Sequence, residues 1–380
     1  MSDRVWEELS RTLRSSAPYR SLRERLGDVV RLPVPAAAWV GELLAEDLGR
    51  PLLVLVPREA DAQSWIEAAR LFGREDRVVY FPAPSLTPYQ ETEVSLLVRA
   101  QESVALDRAC CGAATTVVAT PRALFRRLPR PRDFAAAVRE IRPGEDHPMD
   151  ELVAYLARHG FRRTDLVYEV GDFAVRGGLL DLFPPGEDSP VRLDFFGDTV
   201  ESVRWFDPQS QRSEDTLPSV RLLPLLQFPG GSAEALDLAE LLAAHEGPEL
   251  GPEGAELLEA LRERGSFPGW ENYLPLLAPA TCDLTEVLAG PLVLAVDPPS
   301  LQAEVDHHAE RLAADFAARR EHGRLAAPPE ELEQPPDRVR DVLDGAAVRL
   351  RDLVLSGGVP GSAASDSEGI DFHATLTDLL

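Results

Sequence analysis

The strongest constraint on the fold comes from four short apolar runs, each rich in valine and leucine. They occupy residues 51–56, 77–81, 115–119 and 291–296. None alternates cleanly between polar and apolar residues, which is typical of strands buried on both faces of a parallel sheet. Most are followed by a helical pattern, as expected for strand–helix–strand units with right-handed crossovers. The runs therefore predict an α/β layer domain.

Between the third and fourth runs the sequence changes character. Short segments of alternating polarity, from LVYEV (166–170) to TVESVRWF (199–206), follow a predicted helix at 149–161. The pairs Gly177-Gly178 and Gly197-Asp198 suit hairpin turns, because glycine supplies the positive φ that such turns require. This stretch predicts a small α+β antiparallel domain inserted into the α/β domain.

The chain therefore divides into a discontinuous domain, an insertion and a tail. The tail contains GGVPGSAASDSEG, a composition typical of a flexible linker. The predicted boundaries are 1–139 and 223–353 for the split α/β domain, 140–222 for the inserted β-rich domain, and 354–380 for the linker.

Charge and composition disfavour two kinds of function for this chain, nucleotide hydrolysis and strong nucleic-acid binding. The chain carries a formal net charge of −25 and contains no lysine among its 380 residues. The phosphate loop GxxxxGK[ST] needs its lysine on the phosphates, so that motif cannot occur here. The acidic balance disfavours strong nucleic-acid binding by the chain alone, although the arginine cluster at 122–132 could oppose it. We expect a protein partner.

Other site types find no support in the sequence. The three cysteines have no metal-ligand spacing, and no carboxylate pair stands out as a catalytic dyad. We predict no catalytic residue, no metal site and no cofactor in this chain. No apolar run is long enough for a membrane span, and the N-terminus lacks the features of a secretory signal, so we expect a cytoplasmic protein.

The strand VRLDFF (191–196) carries the candidate interface. Alternation predicts Val191, Leu193 and Phe195 on an apolar face, and Arg192, Asp194 and Phe196 on the opposite face. In DFAVR (172–176), the same rule predicts Phe173 and Val175 inside, with Asp172, Ala174 and Arg176 outside. An exposed phenylalanine beside two arginines is typical of a protein interface. The alternative is that Arg176 and Arg192 form surface ion pairs with Asp172, Asp181 or Asp194, and that Phe196 packs under a neighbouring element.

Two blocks in this region carry a family resemblance. RGGLLDLFPPG (176–186) and VRLDFFGDTVESVRWFDPQSQRS (191–213) resemble the second domain of the bacterial transcription-repair coupling factors (Mfd) and, more distantly, that of the excision-repair protein UvrB. Flanking pieces such as VVATPRALFRRL (117–128) and GWENYLPLL (269–277) agree in order, and the resemblance covers roughly residues 30–350. It implies a degenerate, helicase-like α/β domain split by a UvrA-binding domain.

The resemblance also implies the function and its limits. It assigns UvrA contact to Arg176, Arg192 and Phe196, within a module that recruits UvrA to stalled RNA polymerase in transcription-coupled excision repair. ATP with Mg²⁺, RNA polymerase and DNA would then belong to the motor and other parts of the parent protein. Two departures from UvrB support this assignment: LPVPAAAWVGELL (32–44) lacks a phosphate loop, and FPAPSLTPYQETEV (81–94) is too short for a DNA-inserting hairpin. The alternative is a diverged nucleotide- or DNA-dependent NTPase domain.

Overall fold

The computed structural model describes residues 3–30, 32–84, 86–246, 250–351 and 369–379. Its largest element is a seven-stranded parallel sheet with the strand order β15-β1-β14-β13-β2-β4-β3. The four predicted runs form β2, β3, β4 and β13, so the α/β class is confirmed. The strands are β1 (Gly27–Val30), β2 (Leu52–Leu55), β3 (Val78–Phe81), β4 (Thr116–Ala119), β13 (Leu292–Val296), β14 (Val348–Arg351) and β15 (Ile370–Asp371).

Helices cover both faces of this sheet. Alternate residues of the strands enter two separate cores, which explains the absence of polar alternation in their sequences. The helices packed on the first face are α1 (Asp3–Ser15), α2 (Ala17–Arg25), α3 (Val34–Leu48) and α4 (Glu59–Leu71). The helices on the second face are α5 (Leu96–Cys110), α6 (Arg122–Phe125), α7 (Pro131–Ala137), α11 (Leu284–Val287), α12 (Pro298–Glu321) and α14 (Pro336–Asp344).

The inserted region has its own sheet and core. Six strands form a mostly antiparallel sheet, and its inner face packs against helix α8 (Met149–Arg158). A two-stranded ribbon of β5 (Arg139–Ile141) and β12 (Val220–Leu222) joins the entry and the exit of this region. The six strands are β6 (Arg162–Arg163), β7 (Asp172–Arg176), β8 (Leu179–Leu182), β9 (Val191–Phe196), β10 (Thr199–Phe206) and β11 (Ser213–Thr216).

A helical layer follows the inserted region and has a fourth core. Its helices pack against the C-terminal half of α12, where Leu312 is buried and Phe316 is half-buried. The layer contains α9 (Ser232–Glu246), α10 (Pro252–Arg264), a 3₁₀ segment at Trp270–Leu277 and α13 (Pro329–Leu332). Among the residues that the structure describes, no helix combines the length and apolarity needed to cross a membrane.

The tail differs from its prediction. Ile370 and Asp371 pair in parallel with Val29 and Val30 of β1, and α15 (His373–Leu379) follows. The side chain of Phe372 is fully buried in the first core. The linker prediction is therefore wrong for residues 370–379, because a few apolar side chains are enough to add an edge strand. Residues 354–368 and 380 of the predicted linker lie outside the described residues.

Candidate partner-binding surface

The burial of strand β9 follows the predicted alternation. Leu193 and Phe195 are buried in the core of the inserted region, whereas the Phe196 side chain is 77% exposed. Phe196 pairs with Thr199 across a tight turn in which Gly197 has a φ of 63°. This turn places Phe196 at the end of the β9–β10 hairpin, on the face of the sheet opposite the core that α8 covers.

Arg192 does not stand free on the outer face. Its guanidinium donates to Asp181 Oδ1 from Nε at 2.7 Å and to Oδ2 from Nη2 at 2.8 Å, and its side chain is only 13% exposed. The same group lies 4.8 Å from the ring centroid of Phe206. The hydrogen bonds to Asp181 raise the pKa of the Arg192 guanidinium above its ordinary value. The predicted outward direction is right, but the outer face is covered here and the arginine is paired.

Other segments of the chain also cover two residues of β7 on this outer face, and their predicted exposure needs correction. Asp172 and Ala174, predicted to face outward, are both buried. Ala174 packs with Val167 and Phe206 in a small apolar cluster on the outer face of the inserted sheet. Asp172 forms an ion pair with Arg162. The outward direction of Asp172 and Ala174 is as predicted, but they are not exposed to solvent, because alternation gives only the direction of a side chain. It cannot show that a loop folds over that side of the sheet.

Arg176 is exposed at the end of β7, where the cover ends. Its Nη2 donates a hydrogen bond to the backbone oxygen of Asp165. Arg176 pairs with Leu179 of β8, which in turn pairs with Asp194 of β9, so these three side chains form one row on the outer face. Phe196 lies two residues beyond Asp194 on the same face. Arg176 and Phe196 thus border the uncovered part of the sheet, and Arg192 lies under its covered part.

The loop of residues 164–171 adds exposed apolar side chains that the sequence analysis missed. Leu166 and Tyr168 lie on it, and the Tyr168 side chain is 51% exposed. LVYEV (166–170) was expected to be a short strand, but it forms this loop between β6 and β7. The alternation in LVYEV has a different cause, since the buried Val167 stands between two exposed neighbours.

The start of helix α3 lies in LPVPAAAWVGELL (32–44), the segment compared above with the phosphate loop of UvrB. Helix α3 begins at Val34, with Pro33 as its N-cap residue and Pro35 in its first turn. Prolines lack the backbone N–H groups with which a helix N-terminus binds phosphate. No side-chain hydrogen bond caps this helix end.

The comparisons with known proteins agree with this architecture. Residues 140–228 match the family model described as "UvrB interaction domain". The chain is similar to the transcription-repair-coupling factor of Mycobacterium bovis, with 32% identity over 74% of the chain and 24% of that protein. It is also similar to that of Myxococcus xanthus, with 41% identity over 39% of the chain and 12% of the relative. For the Bacillus subtilis protein the identity is 29% over 58% of the chain and 19% of the relative. The chain thus matches less than a quarter of the length of each of these three relatives.

Proposed function

We propose that the inserted region of this chain binds UvrA. The premise is that the chain is a homologue of the transcription-repair-coupling factors, with a UvrB interaction domain at residues 140–228. One observation carries the proposal. A large aromatic side chain, Phe196, is exposed to solvent at the end of the β9–β10 hairpin, inside the matched region. Large aromatic residues are frequent anchors at protein interfaces, and this one leaves most of its surface in solvent.

The charged side chains near Phe196 could fix the orientation in which a partner protein binds. Arg176 and Asp194 lie in the neighbouring row of the outer face, and the chain as a whole is acidic. Opposite charges beside an aromatic anchor orient a partner more than they add affinity. Recruitment of UvrA to stalled RNA polymerase is the role that we propose for such a module in transcription-coupled excision repair.

The proposal assigns no nucleotide hydrolysis to this chain. Pro33 and Pro35 at the start of α3 remove backbone donors where a phosphate would bind, and the chain has no lysine to replace them. These features disfavour the alternative, a diverged NTPase. ATP, Mg²⁺, DNA and RNA polymerase are proposed to act on parts of the coupling factors outside the matched region.

Two titrations of the full chain test the proposal. Isothermal calorimetry with purified UvrA, without nucleotide, should give saturable binding. Calorimetry with ATP and Mg²⁺ should give no heat of binding at micromolar concentrations. No binding of UvrA would overturn the recruiting role, whereas saturable ATP binding would favour the NTPase alternative.

A further inference from the structure

The loop of residues 164–171, on the outer side of the inserted sheet, exposes apolar side chains but is itself fixed by several hydrogen bonds and one buried side chain. The buried carboxylate of Asp172 accepts hydrogen bonds from the backbone N–H groups of Tyr168 and Glu169 at 3.3 and 3.1 Å. Arg162 bonds to both Glu169 and Asp172, at 2.9 and 2.8 Å. The loop is therefore fastened to β6 and β7 by charged groups.

Further bonds fix the first half of the loop. The hydroxyl of Thr164 donates to the backbone oxygen of Leu166 at 2.9 Å, and the guanidinium of Arg176 donates to that of Asp165. Val167 is buried in the small apolar cluster on the outer face, against Ala174 and Phe206. One apolar side chain thus anchors the loop, and its two neighbours, Leu166 and Tyr168, are turned to solvent.

This arrangement lowers the entropic cost of contact. Ordering a loop and its side chains on binding reduces affinity, and a loop fixed in advance avoids much of that cost. A tyrosine on a rigid loop combines a large contact area with few rotatable bonds, which makes it an effective interface residue. Tyr168 is 51% exposed and Phe196 is 77% exposed, so both offer apolar surface to a partner.

The loop lies within the reach of the same interface as Phe196. Arg176, which bonds to the loop, is two strands from Asp194, a Cα separation of about 10 Å, and Phe196 is about 7 Å further along β9. A standard interface covers about 800 Å² on each partner, a patch about 30 Å across. The loop and the hairpin end can therefore contact one protein at the same time.

We infer that the 164–171 loop is a second contact element for UvrA, with Tyr168 as its main contact and Leu166 beside it. Arg176 acts on this element as a positioning residue by holding the Asp165 carbonyl. The inference rests on the proposed function, because it assigns the same partner to a surface continuous with the hairpin end. It differs from that function by placing the contact on residues outside the β9 strand.

The experiment measures the affinity of UvrA for single variants of the full chain. Tyr168→Ala should weaken binding about tenfold, because it removes a ring on a preordered loop, and Leu166→Ala should weaken it by a smaller factor. Leu71→Ala is the matched control, since Leu71 is a large exposed apolar residue at the end of α4, outside the inserted region. It should bind as the unmodified chain does.

The positioning role of Arg176 has its own readout. Arg176→Ala should weaken binding more in the unmodified chain than in the Tyr168→Ala background, because part of its effect acts through the loop. Arg176→Lys should retain most of the affinity, since an ammonium can still donate to the Asp165 carbonyl. Additive losses from Arg176→Ala and Tyr168→Ala would show that Arg176 contacts UvrA independently, and would overturn this role.

The outcomes separate the two proposals. Unchanged affinity for Tyr168→Ala, together with a loss for Phe196→Ala, would overturn the loop element and leave the recruiting role intact. Unchanged affinity for both variants would overturn both contact elements, the loop and the hairpin end, whereas only the absence of UvrA binding by the unmodified chain would overturn the recruiting role. Equal losses for Leu71→Ala and Tyr168→Ala would show that exposed apolar side chains bind UvrA nonspecifically, which also overturns the loop element.

Discussion

Phe195 and Phe196 are consecutive residues of one strand, yet the first is 9% exposed and the second 77%. The difference follows from the pleat of β9, which turns successive side chains to opposite faces of the sheet. Phe195 completes the core under α8, while Phe196 extends into solvent. One strand therefore supplies both a folding residue and a candidate binding residue.

The Phe195→Ala change should lower stability without acting on the surface. Loss of a buried ring removes burial energy and leaves a cavity, so the free energy of unfolding should fall by about 3 kcal/mol. Phe196→Ala should change it by less than about 0.5 kcal/mol, as is usual for an exposed position. Urea unfolding of both variants measures the contrast, and equal effects would contradict the assignment of the two faces.

Arg192→Ala should also be costly, in contrast to an ordinary surface arginine. It leaves the Asp181 carboxylate, itself 2% exposed, without the guanidinium that binds both of its oxygens. Breaking a buried pair by removing one partner typically costs about 3–5 kcal/mol. The Arg192→Ala/Asp181→Ala variant should lose less than the sum of the two single changes. A loss under about 0.5 kcal/mol for Arg192→Ala would show that the pair is not structural.

Any effect of Arg192→Ala on UvrA binding therefore needs a stability measurement beside it. A weaker interaction could come from a disturbed outer face rather than from a lost contact. Arg176→Ala does not raise this problem to the same degree, because Arg176 is exposed and lies at the end of its strand.

The sequence predicts which side chains of a strand face each side of the sheet. It does not predict that other segments of the chain cover the outer side. The alternation of β9 and the buried parallel strands depend on local periodicity, which the sequence displays directly. The burial of Asp172 depends on where the 164–171 loop folds, and that of Arg192 depends on contacts with Asp181 and with Gln211, which belong to other strands and loops. The strands β1, β14 and β15 were missed because runs as short as GDVV and VRLR carry too weak a periodic signal.

The two parts of the split α/β domain should depend on each other. Strand β13 lies between β2 and β14, and β1 pairs with β14 and β15 rather than with β2. Truncation at residue 280 removes the two described neighbours of β1 and exposes the edge of β2, so this fragment should aggregate. A fragment of residues 138–228 should fold alone, because most of its core is internal. Stable, cooperatively unfolding fragments 1–139 and 223–353 would contradict this account.

His159 should make stability depend on pH. Burial lowers the pKa of its imidazole below the ordinary value, and Nδ1 lies 2.8 Å from the backbone oxygen of Tyr155. Nearby Arg158 and Arg139 lower the pKa further, while Glu234 opposes them. The folded state thus favours the neutral ring, and the unfolded state takes up a proton first as the pH falls through about 6.5. Stability from this group is full above that pH and is lost below it.

The measurement compares two chains at two pH values. Between pH of about 7.5 and about 5.5, spanning the ordinary histidine pKa, the unmodified chain should lose more unfolding free energy than His159→Gln. The variant removes the titrating ring but keeps every other ionisable group, so the difference isolates His159. Equal losses in the two chains would show that its burial has no thermodynamic consequence.

The central claim is that UvrA binds the exposed end of the β9–β10 hairpin. Its most direct test is the affinity of UvrA for Phe196→Ala compared with Leu71→Ala, each in the full chain and each with an unchanged melting temperature. Loss of an aromatic anchor typically costs 2 kcal/mol or more, so Phe196→Ala should bind about thirtyfold more weakly while Leu71→Ala binds normally. Equal affinity for Phe196→Ala and the unmodified chain would contradict the account.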